Sequence, residues 1–244
     1  MTLLEVSNLR VEFGGIIALS DLSFTVDEGQ ICSLIGPNGA GKTTLFNCIS
    51  RLYEVNSGSI DFDGTALLSQ PAHRVAALGI TRTFQNLALF PALTVLENVM
   101  LGAHSKHERE HARRMQAYEV IERMGLDDLA SHHAAGLAYG TLKRIEIARA
   151  IASHPRMLML DEPAAGLTHS EVDELAKLIV DLRDEMKMAV LLVEHHMQIV
   201  MSISEKIVVL DFGSKIAEGT AIEIRDNPRV IEAYLGDPTP LAAP

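Results

Sequence analysis

The sequence is short of positive charge, with 21 lysines and arginines against 32 aspartates and glutamates and a net charge of −11. A protein that grips a nucleic-acid duplex carries a basic excess to neutralise phosphates, so no nucleic-acid partner is expected. Cysteine is scarce too. Cys32 and Cys48 lack a C-x-x-C spacing and each falls in an apolar segment. Both read as small buried hydrophobes of a reduced, cytosolic protein. No apolar run approaches the roughly 18 residues of a membrane span, so work at a membrane is expected to go through a partner. The opening residues include Glu5 and show no basic stretch followed by an apolar one, so a signal peptide is not expected. There is no internal repeat. A chain of 244 residues suits one large domain, or one with an inserted subdomain, burying roughly 70–75% of its unfolded surface.

What is present is a glycine-rich turn in a particular setting. Gly36, Pro37, Asn38, Gly39, Ala40, Gly41, Lys42, Thr43 and Thr44 fit the phosphate-binding pattern G-x-x-x-x-G-K-[ST]. The glycines let the backbone turn so that successive N–H groups point inward as an anion cradle. Lys42 would reach the outer phosphates and the Thr43 hydroxyl would ligate Mg²⁺. Gln30–Ile35 reads as a buried strand entering the turn. Leu45, Cys48, Ile49 and Leu52 recur at i, i+3, i+4 and i+7, one face of a helix whose N-terminus points at the phosphates. Strand, turn and helix together predict a nucleoside triphosphate site.

Other segments gain meaning from that site. Met157–Leu160 is an apolar strand that ends in Asp161 and Glu162, and adjacent buried acids are costly unless they meet a cation or a reacting group. Asp161 is the expected Mg²⁺-side acid, and Glu162 the expected base for an attacking water. Met188–Val193 repeats the apolar pattern and ends in Glu194 and His195; His195 is either a loop residue or a donor to the γ-phosphate. Gly79–Phe84 reads as a strand delivering Gln85 at its C-terminal end, where ligands of α/β sheets collect. Phe13, ahead of Gly14 and Gly15, is either core or an exposed ring able to stack on a nucleobase.

The rest of the chain supplies a frame. Leu3–Val6, Arg10–Phe13 and Leu22–Val26 read as a small antiparallel sheet, and Ser57–Gly64 as another strand ending in a turn. From about Thr94 to Ala152 helix formers dominate. Thr94 and Glu97 have capping-box spacing, and a helix from about Glu108 to Met124 puts Ala117, Val120, Ile121 and Met124 on one face. His104, His107 and His111 share a helical spacing, but basic residues crowd them and they read as a solvated face, not a metal site. Gly140 and Thr141 precede a helix over Leu142–Ser153 whose N-terminal N–H groups can receive an anion. Thr168 and Glu171 open a long amphipathic helix. Lys206–Asp211 and Lys215–Glu218 read as a hairpin; Thr220 and Glu223 cap a short helix, Asn227 and Pro228 break it, Arg229–Leu235 makes another, and 236–244 is a tail.

In this order and spacing the segments resemble the ATP-binding cassette ATPases of membrane transporters, over essentially residues 3–235. The resemblance implies an α/β P-loop NTPase fold: a mostly parallel sheet core, an N-terminal antiparallel β subdomain and an inserted α-helical subdomain. The ATP-binding core would comprise 1–92 and 155–235, and the helical signature subdomain 93–154. Phe13 matches the adenine-stacking aromatic and Gly36–Thr44 the Walker A loop. Gln85 matches the Q-loop glutamine, placed at the γ-phosphate and Mg²⁺. Leu137–Thr141 falls where the family has its signature, so that Ala138 and Gly140 would face a partner's ATP. Asp161 and Glu162 match the Walker B pair, Ala164–Thr168 the D-loop, and His195 the switch histidine. Ala138 stands where the wider family has serine, Thr141 and Leu142 where it has two glutamines, and His196 and Thr168 where it has acids.

The narrower likeness, carried by residues 79–86, 161–167 and 231–236, is to the LivG-type ATPases of branched-chain amino acid importers. It implies ATP and Mg²⁺ as ligands and a second ATP-binding subunit, identical or different. It further implies two membrane permease subunits, a periplasmic binding protein at one remove, and residence at the cytoplasmic face of the inner membrane. Two rival readings are a cassette acting on DNA or the ribosome, which would need a coiled coil or a second cassette, and a regulatory module that holds ATP without splitting it.

Overall fold

Alternation of apolar and polar residues produces two long strands at the start, β1 (Thr2–Phe13) and β2 (Ile16–Asp27). Leu4, Val6, Leu9 and Val11 of the first and Leu19, Leu22, Phe24 and Val26 of the second are buried. The sequence predicts a break between Val6 and Arg10, but the chain forms one strand there. A register shift between Val6 and Leu9, with Asn8 at φ 48°, takes up the polar residues as a bulge. The all-buried β3 (Ile31–Ile35) leads through the glycine turn into α1 (Lys42–Ile49), and β4 (Ser57–Phe62) and β5 (Thr65–Ala66) follow. The antiparallel sheet runs β2-β1-β4-β5. Leu52 departs from expectation. The helix stops at Ile49 because Arg51 turns to φ 58° and the Leu52 amide bonds back to Asn47 O at 2.8 Å, leaving the side chain 56% exposed.

This is the computed structural model, which describes residues 1–103 and 109–235. It forms two compact units, Met1–Gln70 with the described residues from Leu191 onward, and Pro71–Val190. The second unit holds β6 (Ile80–Arg82), α2 (Val95–Gly102), α3 (Glu110–Arg123), α4 (Tyr139–Ile151), β7 (Met157–Asp161) and α5 (His169–Met186). Within it β6 and β7 pair in parallel, and every residue of β7 is buried, the mark of a strand covered on both faces. α3 buries Ala117, Val120 and Ile121, with Met124 just beyond its end, and α5 buries Val172, Leu175, Ala176, Ile179 and Leu182. His104 and His107 of the expected solvated face, and the expected helix start at Glu108, lie outside the described residues.

The chain returns to the first unit through β8 (Ala189–Val193), also buried throughout, and continues as α6 (Met197–Ile203), β9 (Lys206–Asp211), β10 (Ser214–Gly219), α7 (Ala221–Arg225) and α8 (Pro228–Leu235). There β3 pairs in parallel with β9, and β9 antiparallel with β10. Thr94, Thr168 and Thr220 each close a reciprocal capping box with the glutamate three residues on, fixing the starts of α2, α5 and α7. Both cysteines are fully buried. Burial pushes the Cys32 thiol up to about 12 and the Cys48 thiol up to about 11, so both are inert apolar filling. The expected α/β class, with an N-terminal antiparallel sheet, parallel strands and a helical middle, is the fold the chain adopts.

Candidate nucleotide site

In the first unit the glycine turn leaves β3 at Gly36 and is held from within. Gly36 has φ 150°, and a Cβ there would stand 2.1 Å from Leu210 O. Gly41 has φ 100°, and a Cβ there would stand 2.7 Å from Ala18 O. Only glycine fits either position. Gly39 also turns left-handed, yet nothing lies within 4 Å of its Cβ direction, so that side of the turn is open. Lys42 is 6% exposed and its ammonium donates to Gly36 O at 2.6 Å and Pro37 O at 2.9 Å. Ala40 is buried; Asn38 and Thr43 are exposed, and Pro37 and Thr44 half-buried. A buried ammonium beside an open turn, at the N-terminus of α1, suits a polyphosphate. Burial pushes the Tyr234 phenol, which neighbours the Gly36 backbone, up to about 12.

Phe13 lies at the end of β1, 45% exposed, its ring edge-on to Tyr53 with centroids 5.2 Å apart. Of the two readings of this residue, exposure is the one observed. His195 is exposed just past β8. Glu194 before it is 1% exposed and turns its carboxylate back, accepting the backbone N–H of His195 at 2.9 Å and of His196 at 3.2 Å. That bond pair fixes the backbone that presents the imidazole.

In the second unit β7 delivers the acids. Asp161 is 3% exposed and pairs with Arg82 of the neighbouring β6, Nη2 to Oδ2 at 2.7 Å; its own N–H donates to Thr83 Oγ1 at 3.3 Å. Glu162 follows at φ 50°, half-buried, and Gln85 Nε2 donates to its Oε2 at 3.0 Å. So Gln85 and Glu162, 77 positions apart, meet next to a buried aspartate. Arg82 also lies 5.0 Å from the Phe84 ring.

Ala138 and Gly140 are placed differently. Ala138 caps α4 without a side-chain bond, and the helix already begins at Tyr139, so Gly140 lies in the first turn instead of preceding it. A Cβ on Gly140 would stand 2.7 Å from Glu171 Oε1. Both residues line a cavity of about 250 Å³ together with Arg144, Leu167, Glu171 and Glu174.

The Thr43 hydroxyl in the first unit, and the Gln85 amide and Asp161 carboxylate in the second, are each hard oxygen donors of the kind Mg²⁺ takes. Among the described residues no group of three or more His, Cys, Asp or Glu could hold a metal ion. Sequence reasoning missed Arg82, Tyr234 and the buried Glu146 of α4.

Comparison with known proteins follows from this geometry. Residues 19–165 match the family model for ABC transporters, and residues 214–238 match one for branched-chain amino acid ATP-binding cassette transporters. The chain is 44% identical to the high-affinity branched-chain amino acid transport ATP-binding protein BraF of Pseudomonas aeruginosa, over 96% of this chain and 98% of that protein. It is 41% identical, with the same coverage, to the LivG protein of that description from Escherichia coli. It is 34% identical to the lipopolysaccharide export system ATP-binding protein LptB of Haemophilus influenzae, over 97% of this chain and 98% of that one. Among solved structures, the ADP conformation of MJ1267, an ATP-binding cassette of an ABC transporter, superposes with a TM-score of 0.88 at 28% identity, covering 97% of this chain and all of that one.

Proposed function

The chain belongs to the ABC transporter family of ATP-binding proteins, and we propose that it is the ATP-hydrolysing subunit of an importer for branched-chain amino acids or similar small polar solutes. The observation that carries the hydrolytic part is the hydrogen bond between Gln85 and Glu162 beside the buried Asp161. The solute is supported by the near-full-length likeness to BraF and LivG, whose names state branched-chain amino acid transport.

In this reading Gly36–Thr44 holds the phosphates through backbone N–H groups and Lys42, and Phe13 stacks on the adenine. Thr43, Gln85 and Asp161 would hold Mg²⁺, which when bound neutralises charge on the phosphates. Glu162 accepts a proton from the attacking water, and Gln85 keeps that carboxylate oriented. His195 contacts the outermost phosphate. Ala138 and Gly140, at the start of α4, serve the ATP held by a second ATP-binding subunit, identical or different. Residues 93–154 act as the signature subdomain within a core of 1–92 and 155–235, and pass the closure of the pair to two membrane permease subunits, which a periplasmic binding protein supplies. Among the described residues no helix is long and apolar enough to cross a membrane, consistent with peripheral attachment at the cytoplasmic face.

Phosphate release is the test, measured on the full chain alone and with its co-purifying ATPase partner. Mg²⁺-dependent release in either preparation is expected. ATP binding with no release in both would overturn the hydrolytic reading in favour of a regulatory cassette. The solute is tested by isolating the membrane subunits with the chain and identifying what their binding protein carries. Export cargo, as the LptB name would suggest, would overturn the import reading.

A further inference from the structure

Between β6 and the turn at Phe90 the chain has no regular secondary structure, so the arch Phe84–Ala88, with Gln85 in it, must take its position from elsewhere. It takes it from α4. Glu146 Oε1 accepts the N–H of Phe84 at 3.1 Å. The Ala88 carbonyl accepts from Arg149 of the same helix. Two side chains of α4 therefore grip the five-residue arch, Glu146 at its first residue and Arg149 at its last. The surroundings of Glu146 suit that task. Glu146 is 1% exposed, Lys143 lies 3.8 Å away and is equally buried, and burial raises the carboxyl above the ordinary value. Lys143 in turn lies 5.7 Å from the ring of Tyr139, in the first turn of α4.

A carboxylate buried at the cost of its hydration is held where a second function uses it. Core packing alone needs no charge at this place on α4, since neighbouring Ile145, Ile147 and Ala148 supply the apolar contacts. What Glu146 uniquely provides is a fixed acceptor for the backbone donor immediately before Gln85.

We propose that Glu146 is the positioning residue for Gln85: it locks the arch Phe84–Ala88 to α4, so that the start of α4 and the Gln85–Glu162 hydrogen bond move as one body. This deepens the ATPase reading and rests on it for its consequence in turnover. The lock itself is independent of that reading. Loss of the carboxylate leaves the Phe84 N–H without its acceptor and frees Gln85 from the orientation that Glu162 needs.

The test uses the full chain with three substitutions. Glu146→Ala removes the acceptor, Glu146→Gln keeps an amide oxygen in its place, and Val120→Ala, a core change in α3, is the stability control. Hydrogen exchange of the Phe84 amide is read beside ATP affinity and turnover. In Glu146→Ala that amide should exchange at least about tenfold faster, with the second half of α4 unchanged. Turnover should fall by on the order of 10–100-fold while ATP affinity stays within about twofold. Glu146→Gln should recover part of the protection and part of the turnover. If Glu146→Ala does not fold, the Gln variant alone decides by the same exchange readout. Unchanged exchange at Phe84 would overturn the proposal. So would equal acceleration throughout 71–190, or a turnover loss in Val120→Ala as large as in Glu146→Ala. A wild-type chain that releases no phosphate either alone or with its ATPase partner would refute the ATPase reading, and the exchange data would still decide the lock.

Discussion

Two stretches of backbone proposed to carry the chemistry are held in opposite ways. Gly36–Thr44 holds itself: Lys42 bonds to carbonyls six and five positions back, Leu45 N–H bonds to Gly41 O at 3.0 Å, and glycine conformations do the rest. Phe84–Ala88 is held by side chains from α4, with Glu146 62 positions away from Phe84. The difference teaches where information for a loop resides. A binding loop that must accept a ligand of fixed shape is built from its own residues. A loop whose glutamine must answer to events elsewhere in its unit is built from residues of another element, and inherits that element's position.

Breaking each stretch should therefore produce different defects. The largest effect is expected from Glu162→Gln, the partner of the remotely held Gln85. Turnover should fall by a factor on the order of 10²–10³ with ATP affinity intact, as loss of a base or water-orienting group does. If affinity falls as well, the division between a binding loop and a chemical arch is wrong. Next comes Lys42→Ala. Removing a buried ammonium that bonds within the loop and faces the phosphates should weaken fluorescent-ATP binding by roughly 100-fold, about 2.7 kcal/mol. Unchanged titration curves would show that the loop does not grip a triphosphate.

The same contrast explains what could be read from the sequence. The glycine turn was legible because its geometry is local: spacing alone places Gly36, Gly41 and Lys42. So were the capping boxes at Thr94, Thr168 and Thr220, each confined to four residues. The apolar strands ending at Asp161 and Glu194 were visible from hydrophobicity. Leu52 misled because helical periodicity carries no information about a left-handed Arg51. The strand break expected near Asn8 misled because a bulge preserves pairing through polar residues. Arg82, Glu146 and Tyr234 were illegible for a different reason. Charged and phenolic residues read as solvent-facing until the fold brings them a partner, and those partners, Asp161, Phe84 and Gly36, are all distant in the chain.

A smaller effect sharpens the comparison from the local side. Gly36→Ala would place a methyl group 2.1 Å from Leu210 O at φ 150°, so the loop must distort or β9 must shift. A stability loss of about 2 kcal/mol is expected from urea denaturation midpoints. Because the loop is self-held, ATP affinity should drop with stability. If stability drops alone, the first glycine serves the sheet and not the phosphates.

The smallest expected effect tests a contact that is local yet sits just past the remotely held arch. Thr94 Oγ1 accepts the N–H of Glu97 at 3.2 Å, and Glu97 Oε2 accepts the N–H of Thr94 at 2.8 Å. Beside it the buried Asn98 donates to Phe90 O at 3.1 Å and accepts from Phe90 N–H at 2.9 Å, so the turn between arch and α2 has a second support of its own. Thr94→Ala should therefore cost about 1 kcal/mol, the usual worth of such a cap, and leave turnover unchanged. The bonds from Thr94 hold the Glu97 carboxyl below its ordinary 4.5. A depressed carboxyl contributes stability that is present above the unfolded value and lost as pH falls through the folded one. At that carboxyl Thr94→Ala keeps the backbone N–H and loses only the hydroxyl's bond to Glu97 Oε2 at 2.9 Å, so the advantage of the wild type should be full at pH 7 and shrink in part once the pH drops below 4.5. A difference that is flat across that range would mean the cap works through the hydroxyl alone. A turnover loss would mean that the arch depends on α2 as well as on α4.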